Sequence, residues 1–544
     1  MKLVRSVVTE VVPDAAEVFP NASLARTELV SGVFVLRLVS LNVVPADVPM
    51  GTPARRISYC VTPTLSVEAV HERVMEVPVL PVTVGVPGTV ATWDTALRRW
   101  GTLDMRRALA PAARLAARGF RVDRTFALQT EENQERFEAY TTTPRLFLPG
   151  GQPPEVGSRF RNPGLAETYR ILGKRGAKWF YKGPLARRIA QLVRKPPVSP
   201  DTDLPVPKGF MRARDLANYR TVLAPATRTR FRGLDVFGMP PSSSGGTTVG
   251  ETLNIVEALG RKPSRTQLLH RYLEASALAF ADRAEHLGDP AFTRVPVRQL
   301  LDQRFADERA CLVDRDEAMP KPVDPGNVRR YDGKCGSSSG ATGDASQDTE
   351  NRETTNLTVA DRWGNVVADT LTIEQTGGSG LLVPGRGFLL NNELTDFSTV
   401  WERGDPNRIQ PGKRPRSSMS PTIVLRRGEP FLALGSPGGS TIITTVVQVL
   451  LNRLVQGMRL PGAVAAPRAS QRNAADVTAE QRFIDRWGDL LGDLGHTFVP
   501  AGEPGTSAAE IGAATAIEIH GRRFLAVAEP TRRGGGSALV VRPR

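Results

Sequence analysis

The chain has 544 residues, 40% of them apolar, which allows sizeable cores and is too long for a single-core domain. Its 71 basic and 56 acidic side chains leave a formal charge of +15, dominated by arginine. No basic-aromatic nucleic-acid motif accompanies that charge, so we read it as a solvated surface and expect no nucleic-acid partner.

Three cysteines, Cys60, Cys311 and Cys335, are far apart and form no CxxC. Neither a zinc site nor a disulfide framework is therefore expected. Five scattered histidines form no HExxH, so no metal site is expected, and His286 reads as a packed helix residue. The most apolar stretch, Leu29 to Val44, is interrupted by Arg37 and too short to span a bilayer. Near the N-terminus Lys2 and Arg5 are present, but Glu10 and Asp14 break any apolar signal region.

In chain order, residues 1 to about 80 hold short β-like runs broken by prolines. The character changes at Val84. A turn-rich Gly85-Val86-Pro87-Gly88 leads into helical spacing from Ala91 to Trp100. Met105 to Gly119 reads as an amphipathic helix stopped by its glycine. From about 160 to 320 helical stretches alternate with short loops, the best being Val249 to Leu259 and Gln267 to Leu287. Residues 333 to 350 form a polar low-complexity tract, which by composition alone is an ordinary linker or a tail beside a processing site.

Beyond that tract the pattern turns to β. Leu357 and Val359, then Val366 and Ala368, flank Asp361-Arg362-Trp363-Gly364-Asn365, which predicts a hairpin with Gly364 at positive φ. Thr354 and Thr372 are equally distant from Trp363, so a regular hairpin places them opposite one another. Strands are expected at Phe388 to Leu390, Ile423 to Leu425 and from Phe431. The last runs through Gly435-Ser436-Pro437-Gly438-Gly439-Ser440 into a helix from Ile442 to Leu454. Strand, glycine turn and helix start can aim backbone N–H groups at an anion.

A polar tract that meets a strand at Thr354 suits self-cleavage to an N-terminal nucleophile. An N-terminal threonine carries its own base, since an α-amine with a pKa of about 7.7–8.0 lies beside its hydroxyl.

Taken in order, these segments resemble the γ-glutamyltransferase family from about Val84 to the C-terminus. The motifs are Gly85 to Val90, Pro240 to Gly246, Ala281 to Pro290, Thr354-Thr355 with Asp361 to Asn365, Asn391-Asn392-Glu393 with Asp396-Phe397, Arg414 to Pro421, and Gly435 to Gly439. The resemblance implies an α+β fold, the four-layer αββα sandwich of N-terminal-nucleophile hydrolases. It implies cleavage between Glu353 and Thr354, giving a large-subunit part (84–353, with 333–353 a flexible tail) and a small subunit (354–544) that stay together.

By the same resemblance Thr354 is the nucleophile and Thr372 its hydrogen-bonding partner. Glu393 and Asp396 hold the α-amino cation of the substrate, Ser417 and Ser418 its α-carboxylate, and Gly438 and Gly439 form the oxyanion hole. Glu374 stands where many transferases have a substrate-contacting asparagine. Thr355 is structural. The donor is a glutathione-like γ-glutamyl compound, the acceptor is water or an amine, and no cofactor is implied. The family's usual location is periplasmic, secreted or at the cell surface.

Two departures bear on function. The segment Ser398 to Pro415 is shorter than the lid of many members, which implies an open groove. Residues 1–83 lack the family's N-terminal glycine and arginine motifs, and no role falls to Arg55 or Arg56. That region reads as a divergent replacement or a misread frame. Three readings follow: a γ-glutamyltransferase, an acylase or poly-γ-glutamate hydrolase on the same fold, and a non-catalytic remnant.

Overall fold

The structure is a computed structural model that describes residues 58–61, 84–336, 354–398, 400–502 and 509–541. The expectations for residues 1 to about 80, and Glu353 itself, lie outside the described residues, apart from a strand at Ser58–Val61 that pairs with Val222–Pro225.

Helix α1 (Thr89–Trp100) and helix α2 (Met105–Arg118) begin the main body. The Asp104 carboxylate caps α2 by accepting the Arg107 N–H at 2.7 Å. Gly119 ends it at φ +81°, where a Cβ would overlap the Phe160 carbonyl. Helix α3 (Pro163–Arg175) packs along α2, and α4 (Pro184–Arg194) follows. Their shared core contains Trp93, Leu109, Leu172, Phe180 and Ile189, closed by Leu381, Val383 and Leu390 from beyond Thr354.

The centre is a six-stranded antiparallel sheet. Its strands are β1 (Thr227–Phe231), β2 (Leu234–Gly238), β5 (Thr422–Arg426), β6 (Glu429–Gly435), β7 (Thr515–His520) and β8 (Arg523–Ala528), in the order β8-β7-β6-β5-β2-β1. The hairpin β3 (Thr355–Ala360) and β4 (Val366–Leu371) forms a separate sheet that packs on β6 and β7.

Period-two alternation buries both faces of the large sheet. Val424, Leu432 and Leu434 meet helices α5 (Gly245–Ala258), α6 (Arg265–His286) and α8 (Thr441–Leu454). Ile423, Leu425 and Ala433 share a second core with Val366 and Ala368 of the hairpin. Full burial of a side chain of the Val or Leu class stabilises by about 1.5–3 kcal/mol. Strand β2, before Thr354, pairs with β5, after it, through Val236↔Val424. The two parts of the chain therefore share one sheet and one core.

Three expectations are corrected. Phe388 to Leu390 is not a strand, because only the isolated bridge Leu382↔Leu389 forms in a loop that serves the helical core. The hairpin β1–β2 lies where helices and loops were expected. Its signal is the alternation in Thr-Arg-Thr-Arg-Phe followed by Arg232-Gly233, both at positive φ (51° and 78°), which is a tight hairpin turn. Cys311 and Cys335 do form a disulfide, with Cα atoms 5.4 Å apart and a sequence separation of 24. Helix α7 (Gln303–Ala310) explains the approach. The returning chain lays Tyr331 on Phe305 and donates the Gly333 N–H to the Glu308 carboxylate at 2.9 Å, which brings position 335 back to position 311.

His286 closes α6, with Nε2 at 3.2 Å from the Gly326 carbonyl. Elsewhere on that helix His270 Nδ1 meets His496 Nε2 at 2.8 Å, while Glu274 pairs with Lys321 at 2.5 Å. Burial, His270 and Lys321 together push the His496 pKa down to about 3. The unfolded chain takes up this proton near pH 6.5, before the folded one does. The contribution is therefore complete above that pH and is lost as pH falls toward 3. Urea midpoints measured from pH 7 to pH 4 should fall, and His496→Phe should flatten that slope. An unchanged slope in the variant would contradict this account. Among the described residues no helix is long and apolar enough to cross a membrane.

Candidate active site

Thr354 enters β3 at the open end of the hairpin. The register pairs Thr355 with Leu371, which sets Thr354 opposite Thr372 as the symmetric turn predicts. The Thr354 hydroxyl donates to Thr372 Oγ1 at 3.2 Å. Thr372 Oγ1 also accepts the Glu374 N–H at 2.8 Å, so the second threonine is held by the loop that leaves β4. The turn is fastened by Asp361, whose carboxylate accepts the N–H groups of Trp363 (2.9 Å) and Asn365 (3.0 Å). At Gly435 β6 comes so close to β3 that a Cβ would overlap the Asn356 amide.

A cleft of about 240 Å³ opens at Thr354. It is lined by Thr354, Thr372, Glu374, Asp396, Ser417, Ser418 and Gly439, together with Met419 and Ile442. Seven residues singled out in the sequence thus converge. Gly438 and Glu393 stand just outside the lining. Gly438, at φ +137°, takes its place in the turn before α8 and its carbonyl accepts the Thr441 hydroxyl at 2.7 Å. Glu393 is buried at the start of a short helical turn, Glu393–Asp396.

The acidic side of the cleft is built from paired amides. Asn391 accepts the N–H groups of Gly85 (3.0 Å) and Glu393 (3.1 Å) and donates to the Gly85 carbonyl at 3.0 Å. The turn motif at Gly85 thereby anchors the acidic loop although 306 positions separate Gly85 from Asn391. Asn392 donates to the Glu374 carboxylate and accepts the Gln375 N–H at 3.2 Å. Glu374 is buried at φ +76°, a left-handed backbone uncommon for a residue with a side chain.

Behind that loop, Arg136 donates to the Gly378 carbonyl at 3.1 Å. Burial lowers its pKa and the charge of Glu374 opposes that shift.

On the other side, Ser417 pairs with the loop before α5. Its carbonyl accepts the Ser244 N–H (2.7 Å) and the hydroxyls of Ser243 (3.1 Å) and Ser244 (2.8 Å). Asn407 joins the two sides, donating to the Asp396 carbonyl and accepting the Arg416 N–H, both at 2.7 Å.

Sequence reasoning singles out neither Asn407 nor Arg136, since each acts through backbone contacts that no local motif announces. It assigns no role to Met419 and Ile442. Their positions, within the Ser417-Ser418 motif and one residue into α8, are the available signal. The short segment Ser398 to Pro415 is held by Asn407 and by Arg414, which pairs with Asp289 at 3.1 Å, while Val400 and Trp401 on it are exposed.

A threonine at the head of a strand, in an open cleft and beside a second hydroxyl, on an αββα sandwich defines the N-terminal-nucleophile hydrolase class. The model of the family "Gamma-glutamyltranspeptidase" matches residues 68–539, and the chain belongs to that family. It is 35% identical over 464 residues to the glutathione hydrolase proenzyme of Bacillus subtilis (strain 168), covering 84% of this chain and 75% of that protein. It is 34% identical over 390 residues to the acylase ACY 1 proenzyme of Pseudomonas sp. (strain SE83), covering 71% and 63% of the two. Among solved structures, the cephalosporin acylase from Bacillus halodurans superposes with a TM-score of 0.73 at 26% identity, over 86% of this chain and 80% of that one. The fold class expected from the sequence, α+β of the αββα type, is the one found.

Proposed function

We propose that this chain is a proenzyme that cuts itself between Glu353 and Thr354 and then transfers or hydrolyses γ-glutamyl groups. The observation that carries this reading is the convergence of Thr354, a hydroxyl partner, carboxylates, serines and a glycine turn on one cleft. Thr354 Oγ attacks the γ-amide carbonyl while the freed α-amine takes the hydroxyl proton. N–H groups at Gly438 and Gly439 receive the developing oxyanion. Collapse breaks the C–N bond, the proton goes to the leaving amine, and a γ-glutamyl ester remains on Thr354. Water or an acceptor amine then attacks that ester. No metal or organic cofactor is required by these steps.

Glu374, Glu393 and Asp396 hold the α-ammonium of the donor, and Ser417 and Ser418 its α-carboxylate. Residues 84–353 and 354–544 are the two subunits, and the strand pairing of β2 with β5 supports their staying together after the cut.

The test is Asp396→Asn. A hydrogen bond to a charged group contributes about 1.5–3 kcal/mol, so KM for a γ-glutamyl anilide should rise about ten- to hundredfold while self-cleavage continues. An unchanged KM would remove Asp396 from the subsite.

A second reading, an acylase, is favoured by the likeness to the two acylases. A glutaryl-amide lacks the α-ammonium. If it is the better substrate and Asp396→Asn leaves it unaffected, the acylase reading replaces the first.

A further inference from the structure

The serine pair has a cation directly behind it. Arg283 lies on α6, only 2% exposed, with its guanidinium between two hydroxyls. Its Nε donates to Ser244 Oγ and its Nη2 to Ser418 Oγ, each at 2.9 Å.

A guanidinium has no acceptor, so both serine oxygens are acceptors in these contacts. That fixes where each hydroxyl proton goes. Ser244 directs its proton to the Ser417 carbonyl at 2.8 Å. Ser418 faces the cleft, and among the described residues no acceptor takes its proton. The Ser418 O–H is thereby turned toward whatever fills the cleft and is polarised by the positive charge behind it.

The stretch of α6 that carries the guanidinium is also tied to its surroundings. Next to it on α6, Asp282 pairs with Arg309 at 2.9 Å and accepts the Gly326 N–H. The Arg283 carbonyl accepts from Arg416 Nη1 at 3.1 Å, which ties α6 to the segment that carries the serines.

We infer that Arg283 is a positioning residue for an α-carboxylate: through Ser418 it presents an oriented, charge-assisted donor to the carboxylate of an α-amino-acid γ-amide. The inference rests on the reading of Ser417 and Ser418 given above. A cation one hydroxyl removed adds positive charge to that subsite without touching the ligand.

The experiment compares γ-glutamyl-4-nitroanilide with 4-aminobutyryl-4-nitroanilide, which lacks only the α-carboxylate, on matured enzyme. Arg283→Gln should raise KM for the glutamyl substrate about ten- to hundredfold with kcat little changed. It should lower the preference over the aminobutyryl substrate by the same factor. Arg283→Lys, with the charge kept but the fork lost, should recover part of the preference. Ser418→Ala should lose the preference as well, and the double variant should be no worse than either single one.

If Ser418→Ala lowers the preference and Arg283→Gln does not, the positioning role is overturned and the subsite stands. If Ser418→Ala leaves the preference intact, the subsite reading itself fails and the inference with it. Should Arg283→Gln not mature, Ser244→Ala and Arg283→Lys decide, and an unaltered preference in both overturns the proposal.

Discussion

Thr354→Ala will remain a single 544-residue chain, whereas the parent sequence will separate into pieces of about 350 and 190 residues on a denaturing gel. On the function proposed above, the variant loses the hydroxyl that attacks in both self-cleavage and substrate turnover. Loss of a nucleophile costs on the order of 10⁴–10⁶ in rate. The fold should be untouched, because Thr354 is partly exposed at the end of the hairpin and the core of the sandwich begins at Val366 and Ala368. Thr354→Ser, which keeps a hydroxyl beside the amine, should still cut. Splitting of Thr354→Ala at the same bond would end the nucleophile assignment, and intact mass measurement gives the answer directly.

Gly438→Ala is expected to be nearly as damaging, for a different reason. The position has φ +137°, a region open in practice to glycine alone. An added Cβ would sit 2.6 Å from Thr441 Oγ1 and 3.4 Å from the Gly512 Cα. Relief requires the turn before α8 to shift, and with it the N–H groups at Gly438 and Gly439. Loss of one oxyanion donor costs about 10²–10³ in kcat. The donor KM should change little, since the proposed ammonium and carboxylate subsites are formed by other residues. Self-cleavage should slow in parallel, because it passes through the same kind of tetrahedral intermediate. A variant with the parent's near-ultraviolet circular dichroism and the parent's kcat would dismiss the oxyanion role of this turn.

Both predictions concern residues that local sequence pattern marks. Thr354 is marked by a polar tract that meets a β pattern, and its partner Thr372 by simple counting from the turn. The count works because Asp361 locks that turn and prevents a bulge, so the register runs unshifted to the open end. Gly438 and Gly439 are marked by strand, glycine turn and helix in succession, which is local information. The helices at Met105 and Gln267 are legible from spacing and caps, and their ends fall within a residue or two of the expected ones.

What sequence pattern misses is short or depends on distant partners. Phe388 to Leu390 has strand-like residues, yet its apolar side chains serve the helical core and only an isolated bridge forms. The hairpin β1–β2 escapes notice because β1 carries exposed arginines with little apolar signal and β2 is only five residues long. Strand β2 enters the sheet by pairing with β5, and β1 follows it as the edge strand. The disulfide between Cys311 and Cys335 is hidden because spacing in sequence says nothing about a chain that doubles back along α7.

By itself the sequence marked Thr354 as the proposed nucleophile, the turn that places it, the glycine loop before α8 and the polar groups around them. Each of these depends on residues within about twenty positions of one another, where backbone geometry leaves few choices. The tertiary structure alone decided how those groups meet. It set Asn391 against Gly85, Asn407 between the acidic turn and the segment that carries the serines, and Arg283 behind Ser418. These contacts join segments from about ten to more than three hundred residues apart. They exist because buried polar groups must find partners wherever packing brings one within reach. That requirement is met by the folded whole and leaves no local pattern to read.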